Sequence, residues 1–351
     1  MTIRVGIDAT ELSPGAIGGV ATGVRLLLSA LRDHAKDIDV RAVAPRAVEV
    51  PAGVTLHLTG GPRRPFFWRS SGSLRRALSE FDLFHSPVTA IPLQEKVPMT
   101  ATVHELPFTV DERLEGVWRG QKQWYWLERA LAYSRAIVAP TECTRRQILV
   151  AHPAADSRIR VAPHATPPVT LGKRVLHDGS LLFVGRLDEK KGLRALLRGA
   201  RGFEGTIRLV GPQTERGRRQ IERQAQEVGL MEQIEFMGVV EPSLLDEFYR
   251  RARAVVLLSA SEGFGFPVLE GLSRGTPVLV ARDTGAAEVG GDAALVVNPR
   301  EPDEIAAAIE TTRDQDYRRA TAEAGPRRAA EFTAEKTAAA YQKIFLDAVA
   351  L

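Results

Sequence analysis

The chain has 351 residues, more than one hydrophobic core usually serves, so two domains of about 150 residues each are expected. With 44% hydrophobic and 26% charged residues it is neither disordered nor fibrous. The net charge of +4 with a pI near 9.3 suits an anionic partner, while the single cysteine, Cys143, excludes an internal disulfide and has no zinc-type spacing around it.

The N-terminal stretch IRVGID, from Ile3, is a buried-strand pattern followed by a glycine-bearing loop and then by Val20, Val24, Leu27, Leu28 and Leu31 at helical spacing. Charge at Asp8 and Glu11 interrupts any signal-type apolar stretch, and no run reaches about 18 apolar residues. A reducing, cytoplasmic setting is expected, with no membrane span. Further strands are predicted at Val40 (VRAVA), Val54 (VTLHL), Met99 (MTATVH) and Ala136 (AIVAP), with helices over Trp118 to Ala132 and Thr141 to Val150.

Between them lies GPRRPFFWRSSGSLRRAL, Gly61 to Leu78, where arginines stand beside Phe66, Phe67 and Trp68. Two readings stay open: a surface for anionic lipid or an acidic substrate, and a solvated loop and helix whose aromatics are core. Nucleic acid is not expected, because no recognised binding motif accompanies the charge.

A proline-rich break, VAPHATPPVTLGK, runs from Val161 to Lys173, with a hinge expected near Pro167 and Pro168. After it the strand and helix alternation resumes with LLFVGR at Leu181, TIRLVG at Thr206, IEFMG at Ile234, AVVLLS at Ala254 and PVLVA at Pro277. Such alternation predicts parallel sheets wrapped by helices, once on each side of the break. The domains are set at residues 1–168 and 169–331, with a C-terminal helix over 332–351 packing back on the first.

In doubly wound sheets ligands sit at the carboxyl ends of strands, so the loops there carry the functional signal. GAIGGVATG after the first strand offers glycines ahead of a helix, which suits phosphate; the G-x-G-x-x-G order is absent, which weakens a dinucleotide reading. In FVGRLDEKKGLRALL, Arg186, Lys190 and Lys191 stand before a helix start, against its dipole; a bound anion accounts for them, and so does neutralisation by Asp188 and Glu189. In EGFGFPVLEGLSRGTPVLV, Gly263 and Gly265 allow tight backbone, Pro267 suits the first helical position and Glu270 the first turn. Amides of Phe264, Gly265 and Phe266 then suit phosphate or sugar oxygens, and Glu270 suits the vicinal hydroxyls of a ribose; the plainer reading makes Glu270 a helix-dipole partner and the phenylalanines core.

Taken together, these loops, with TVHELPF at Thr102, PTECTRRQI at Pro140, RIRVAPHAT at Arg158, FMGVVEPSLLDEFYRRARAVVLLS at Phe236 and GAAEVGGDAALVVNP at Gly285, resemble the retaining glycosyltransferases of family 4 along nearly the whole chain. The resemblance implies an α/β fold of GT-B architecture, two Rossmann-like domains facing across a cleft. It implies that Arg186 and Lys191, after Gly185, hold the donor diphosphate and that Glu270 binds the ribose. Glu262 with Gly263, Phe264, Gly265 and Phe266 would touch the transferred sugar, His104 would face it, Gly18 and Gly19 would approach the diphosphate, and Gly238 and Val239 would flank the base. Two departures are present: the glycine pair is approached by ELSPGAIGGV, and EGLSRG replaces the commoner EAMACG.

What the resemblance implies chemically is transfer without a resident cofactor. Asp37 with Asp39, and Asp314 with Asp316, have D-x-D spacing, but both are read as solvated faces and no metal is expected. His85 is left as either a pocket residue or a satisfied buried histidine. FHSPVTAIPL and TVHELPF resemble members using GDP-mannose, with UDP-glucose or another sugar nucleotide as the alternative donor, and with a saccharide or lipid-linked saccharide as acceptor. Peripheral contact with the inner face of the membrane is compatible with the basic aromatic stretch. Another sugar-phosphate enzyme on the same architecture, such as a phosphorylase or a sucrose-phosphate type synthase, and a non-catalytic nucleotide-sugar binding protein are the competing readings.

Overall fold

The computed structural model describes residues 2–94, 96–106, 117–167, 176–188 and 191–351, with only the backbone for residues 117–122. Glu189, Lys190, Pro168, the end of TVHELPF and the boundary between residues 168 and 169 lie outside the described residues. The chain divides into two compact units, one of Met1–Ala165 with Phe332–Leu351, the other of Thr166–Glu331.

The first unit is a sheet of seven strands, all parallel: β1 (Ile3–Asp8), β2 (Ile38–Ala44), β3 (Thr55–Leu58), β4 (Leu83–Ser86), β5 (Met99–Thr102), β6 (Ala136–Ala139) and β7 (Ile159–Val161). Their order is β3-β2-β1-β4-β5-β6-β7. The central strands are buried on both faces, as in a sheet covered on two sides, with His85, Ser86, Thr100 and Thr102 among the buried residues. On one side Val24, Leu27, Leu28 and Leu31 of α1 (Gly19–His34) cover it, together with the C-terminal helix Ala334–Ala350. That helix buries Thr337, Ala338, Tyr341, Ile344, Phe345 and Ala348, one stripe at helical period, against α1, β4 and β5. On the other side lie α2 (Pro65–Arg69), α3 (Gly72–Leu78), α4 (Val117–Tyr133) and α5 (Glu142–Ala151), whose Trp68, Leu74, Leu78, Leu127 and Ile148 join Phe84 and Ile137 in a second core.

The second unit repeats the plan with six parallel strands: β8 (Leu181–Val184), β9 (Ile207–Val210), β10 (Ile234–Gly238), β11 (Ala254–Leu257), β12 (Val278–Ala281) and β13 (Leu295–Val297). Their order is β10-β9-β8-β11-β12-β13. The helices are α6 (Leu193–Gly199), α7 (Glu215–Val228), α8 (Pro242–Arg251), α9 (Phe266–Ser273), α10 (Gly285–Gly290), α11 (Pro302–Thr311) and α12 (Gln315–Ala329). Phe183, Leu193, Leu196, Leu197, Leu209, Ile221, Val256 and Ile305 form its core. Each such fully buried apolar side chain contributes roughly 1.5–3 kcal/mol.

Both sheets therefore have the doubly wound order in which strand direction of travel reverses between the first and fourth strands, β1 and β4 in one unit, β8 and β11 in the other. Three short strands, β4, β7 and β13, were not among the predicted ones. The basic aromatic stretch divides between its two readings: Trp68 is fully buried with its indole N–H donating to Thr59 at 2.8 Å, and Arg69 is buried against Asp8, while Phe66 and Phe67 are exposed.

Candidate active site

In a doubly wound sheet the loops leaving the first and fourth strands part in opposite directions and open a crevice at their carboxyl ends. In the second unit these loops run from β8 through Gly185 to Lys191 and from β11 through Ser259 to Gly265. Gly192, the N-cap of α6, is left-handed at φ +74°, and a Cβ there would lie 2.0 Å from the Leu258 carbonyl oxygen. Only glycine lets the two loops press together. The consequence is a contact between residues 71 apart in sequence: Lys191 Nζ donates to Glu262 Oε2 at 2.9 Å.

Both partners of that pair are largely buried, their side chains 21% and 17% exposed, so the charges are held with little solvent between them. Arg186, after Gly185 at the end of β8, has its side chain 58% exposed and pairs with Asp188. Asp188 thus serves Arg186, and Lys191 finds Glu262 on the other loop, while Glu189 and Lys190, the rest of the neutralisation reading, lie outside the described residues.

The second loop is set by Gly265, left-handed at φ +87°, where a Cβ would come 2.9 Å from Ala286 Cβ. The main-chain oxygen of Glu262 accepts from Gly285 N at 2.7 Å, tying the loop to the start of α10. Gly263 is buried, and so are the rings of Phe264 and Phe266, which meet edge to face at 5.2 Å; these side chains are packing, as the plainer reading had it. Helix α9 starts at Phe266, which puts Pro267 second rather than first. Its N-cap makes no side-chain hydrogen bond and its first turn holds no acid, so Glu270 lies beyond the first turn and is not a dipole partner.

Glu270 instead accepts a short hydrogen bond from the Tyr249 hydroxyl. Burial raises its pKa, an effect that the Tyr249 hydrogen bond and the Arg274 charge offset only in part. Gly238, left-handed at φ +65°, ends β10, and its carbonyl accepts from Gly211 N at 2.7 Å; Val239 beside it is exposed. Gly238 and Val239 therefore stand at the carboxyl edge of the sheet two strands from β8.

In the first unit Gly18, at φ +123°, caps α1 without a side-chain hydrogen bond, and Gly19 is the first residue of that helix. His104 follows β5. Its Nε2 donates to the Pro87 carbonyl at 2.7 Å, beyond the end of β4, and its ring stacks on His164 at 5.5 Å. His85 is the satisfied buried histidine of the two readings: its Nδ1 lies 2.9 Å from Thr100 Oγ1 and its Nε2 3.2 Å from Thr102 Oγ1. Burial, aided by the neighbouring His104 charge, lowers the pKa of both His85 and His164 to about 3.

Three buried groups had no sequence signal. Asp8, buried at the end of β1, accepts from Arg69 Nε at 2.9 Å and from the Thr10 amide and hydroxyl at 2.9 and 2.7 Å. Tyr249 and His164 are the others. The D-x-D pairs have structural partners: Asp39 lies inside β2, not ahead of it, and pairs with Arg41 at 2.9 Å, while Asp314 caps α12 and Asp316 pairs with Arg319 at 3.0 Å. Among the described residues no three His, Cys, Asp or Glu side chains are grouped to hold a metal ion.

Residues 17–168 match the family described as Glycosyltransferase Family 4, and residues 175–328 the one described as Glycosyl transferases group 1. The chain is 32% identical over 180 residues to O-antigen chain mannosyltransferase B of Escherichia coli, a match covering 50% of this chain and only 47% of that protein. It is 27% identical to D-inositol 3-phosphate glycosyltransferase of Acidothermus cellulolyticus, across 99% of this chain and 91% of that one. Among solved structures it is similar in fold to sucrose-phosphate synthase from Thermosynechococcus elongatus, with a TM-score of 0.81 at 19% identity and full coverage of both chains. A second is WaaG, a glycosyltransferase involved in lipopolysaccharide biosynthesis, with a TM-score of 0.71 at 15% identity over 98% of this chain and 99% of that one.

Proposed function

Because the chain belongs to the family 4 glycosyltransferases of GT-B type, we propose that it is a retaining hexosyltransferase that moves mannose from GDP-mannose to a saccharide or lipid-linked saccharide. The observation that carries this reading is the Lys191 and Glu262 pair, which joins the loops leaving β8 and β11 at the switch point of the second unit.

Breaking the bond between the anomeric carbon and the phosphate oxygen sends its electron pair onto the diphosphate and leaves oxocarbenium character on the sugar. We assign stabilisation of that charge to Arg186, Lys191 and the amides at the start of α9. Glu262 orients the sugar, its carboxylate already steered by Lys191. The acceptor hydroxyl attacks from the face the diphosphate leaves, forming the new carbon–oxygen bond with retention while its proton passes to a departing phosphate oxygen. His104, whose ring is fixed by Pro87 and His164, is assigned to contact the sugar. Glu270 takes the ribose, and Gly238 and Val239 the base.

The mannose assignment draws on the similarity to a protein named O-antigen chain mannosyltransferase B. It is tested with GDP-mannose and UDP-glucose labelled at the anomeric carbon, an acceptor panel, and the anomeric configuration of the product. Transfer or slow hydrolysis from GDP-mannose, retention, and activity unchanged by a chelator are expected. Preference for UDP-glucose moves the donor to the alternative, and tight donor binding with neither transfer nor hydrolysis makes the chain a sugar-nucleotide binding protein.

Peripheral work on an anionic membrane is the second part of the proposal. No helix among the described residues is long and apolar enough to cross a bilayer. Exposed Arg63, Arg64, Arg75 and Arg76 stand in the same segment as exposed Phe66 and Phe67. A basic residue near an anionic surface is worth about 1 kcal/mol, so reversing both Arg75 and Arg76 to Glu is expected to lower vesicle binding by more than about tenfold. Unchanged sedimentation with anionic vesicles counts against this part.

A further inference from the structure

We propose that Tyr249 is a positioning residue for nucleotide recognition: its hydroxyl holds the Glu270 carboxylate in the orientation that accepts both vicinal hydroxyls of the donor ribose. The inference rests on the assignment of Glu270 to the ribose given above.

Tyr249 lies in the last turn of α8, with its ring buried in the second unit. Three contacts hold it. Its carbonyl accepts from Thr276 Oγ1 at 2.7 Å, the Arg274 guanidinium sits 5.0 Å from its ring centroid, and its hydroxyl donates to Glu270 Oε2. Arg274 is occupied in turn by Asp246, at 2.8 and 2.7 Å, and by the Glu270 main-chain oxygen at 2.8 Å. The carboxylate is therefore held through the phenol, from a rigid base.

An ionised carboxylate only accepts hydrogen bonds, at about four lone-pair sites. The phenol has one proton and commits it to Oε2, which leaves acceptor capacity on both oxygens for two hydroxyl donors on the opposite side. A glutamate without that anchor has three side-chain torsions to order at the moment of binding, and the ribose contact weakens accordingly. The hydroxyl also acts on protonation. Burial raises the Glu270 pKa and the Tyr249 hydrogen bond opposes this, so loss of the hydroxyl moves the pKa further up. A protonated Glu270 accepts less well, and affinity is then lost at a higher pH.

A purely structural tyrosine predicts lower stability alone, so the test compares ligands. Dissociation constants are measured for GDP and UDP, and for the 2′,3′-dideoxy form of whichever binds more tightly, with the full chain and with Tyr249→Phe; Tyr249→Met is the second variant if the first is poorly folded. The full chain is expected to prefer the ribose form by about tenfold or more. Tyr249→Phe should lose about tenfold for the ribose form and little for the dideoxy form, bringing the two together, with the acid limb of affinity moved to higher pH. A variant that melts earlier but keeps the full preference overturns the inference. If the unsubstituted chain shows no preference, the ribose role of Glu270 falls and the inference with it; if it binds neither diphosphate, the proposed function itself fails.

Discussion

Replacing Arg186 by Ala is expected to lower turnover by about 10²–10³ while leaving the melting temperature unchanged, because its exposed side chain contributes little to folding. A donor to a developing oxyanion is worth about 2.7–4 kcal/mol, a scale set by other enzymes and applied here to the charge on the departing diphosphate. Lys191→Ala should cost as much turnover and also some stability, since it strips the partner from a largely buried Glu262. The double replacement falls short of the product of the two, because both act on one leaving group; about 10³–10⁵ is expected. Turnover that survives the double replacement would remove the electrostatic basis of the proposed chemistry.

Acidification is expected to destabilise the first unit. His85 and His164 are buried neutral with pKa values of about 3, against 6.5 in the unfolded chain. Below pH 6.5 the unfolded state takes up protons that the native state refuses, so stability is complete above that pH and drains away as the pH falls toward 3. Each histidine loses about 1.4 kcal/mol per pH unit, roughly 5 kcal/mol for the two between pH 6.5 and 4.5, which is comparable with the whole stability of many domains. Glu11, whose pKa is raised first by burial and then by Asp8, works in the opposite sense and offsets part of this. The four tryptophans, Trp68, Trp118, Trp124 and Trp126, all belong to the first unit, so urea titrations followed by tryptophan emission report it alone. The midpoint should fall steeply between pH 6.5 and 4.5, and His85→Gln should flatten the fall by about half. A midpoint flat across that range would show that the two rings titrate normally.

The strands legible in the sequence were those with runs such as AVVLLS or TIRLVG, long enough to bury both faces. LFHS breaks its apolar run at His85 and Ser86 in β4, and β7 and β13 have only three residues each, IRV and LVV, too few for a period to register. In the site, Gly265 and Pro267 announced a tight turn into a helix because their backbone chemistry is local. The bond from Lys191 to Glu262 was not readable, because it depends on Gly192 meeting Leu258 across 66 positions of sequence. The burial of Arg69 was not readable for the same reason, its partner Asp8 lying at the end of β1. Nothing local to the sequence marks Tyr249; only the carboxylate brought against its hydroxyl by α9 distinguishes it.

The most direct measurement is calorimetric melting of the second unit with GDP, UDP, ADP and TDP. A diphosphate held at the β8 and β11 loops at 100 times its dissociation constant should stabilise that unit by about 2.7 kcal/mol, with the gain much reduced in the Arg186 and Lys191 double replacement. No shift with any of the four, or a shift that the double replacement leaves intact, would contradict the placement of the leaving group on these two cations.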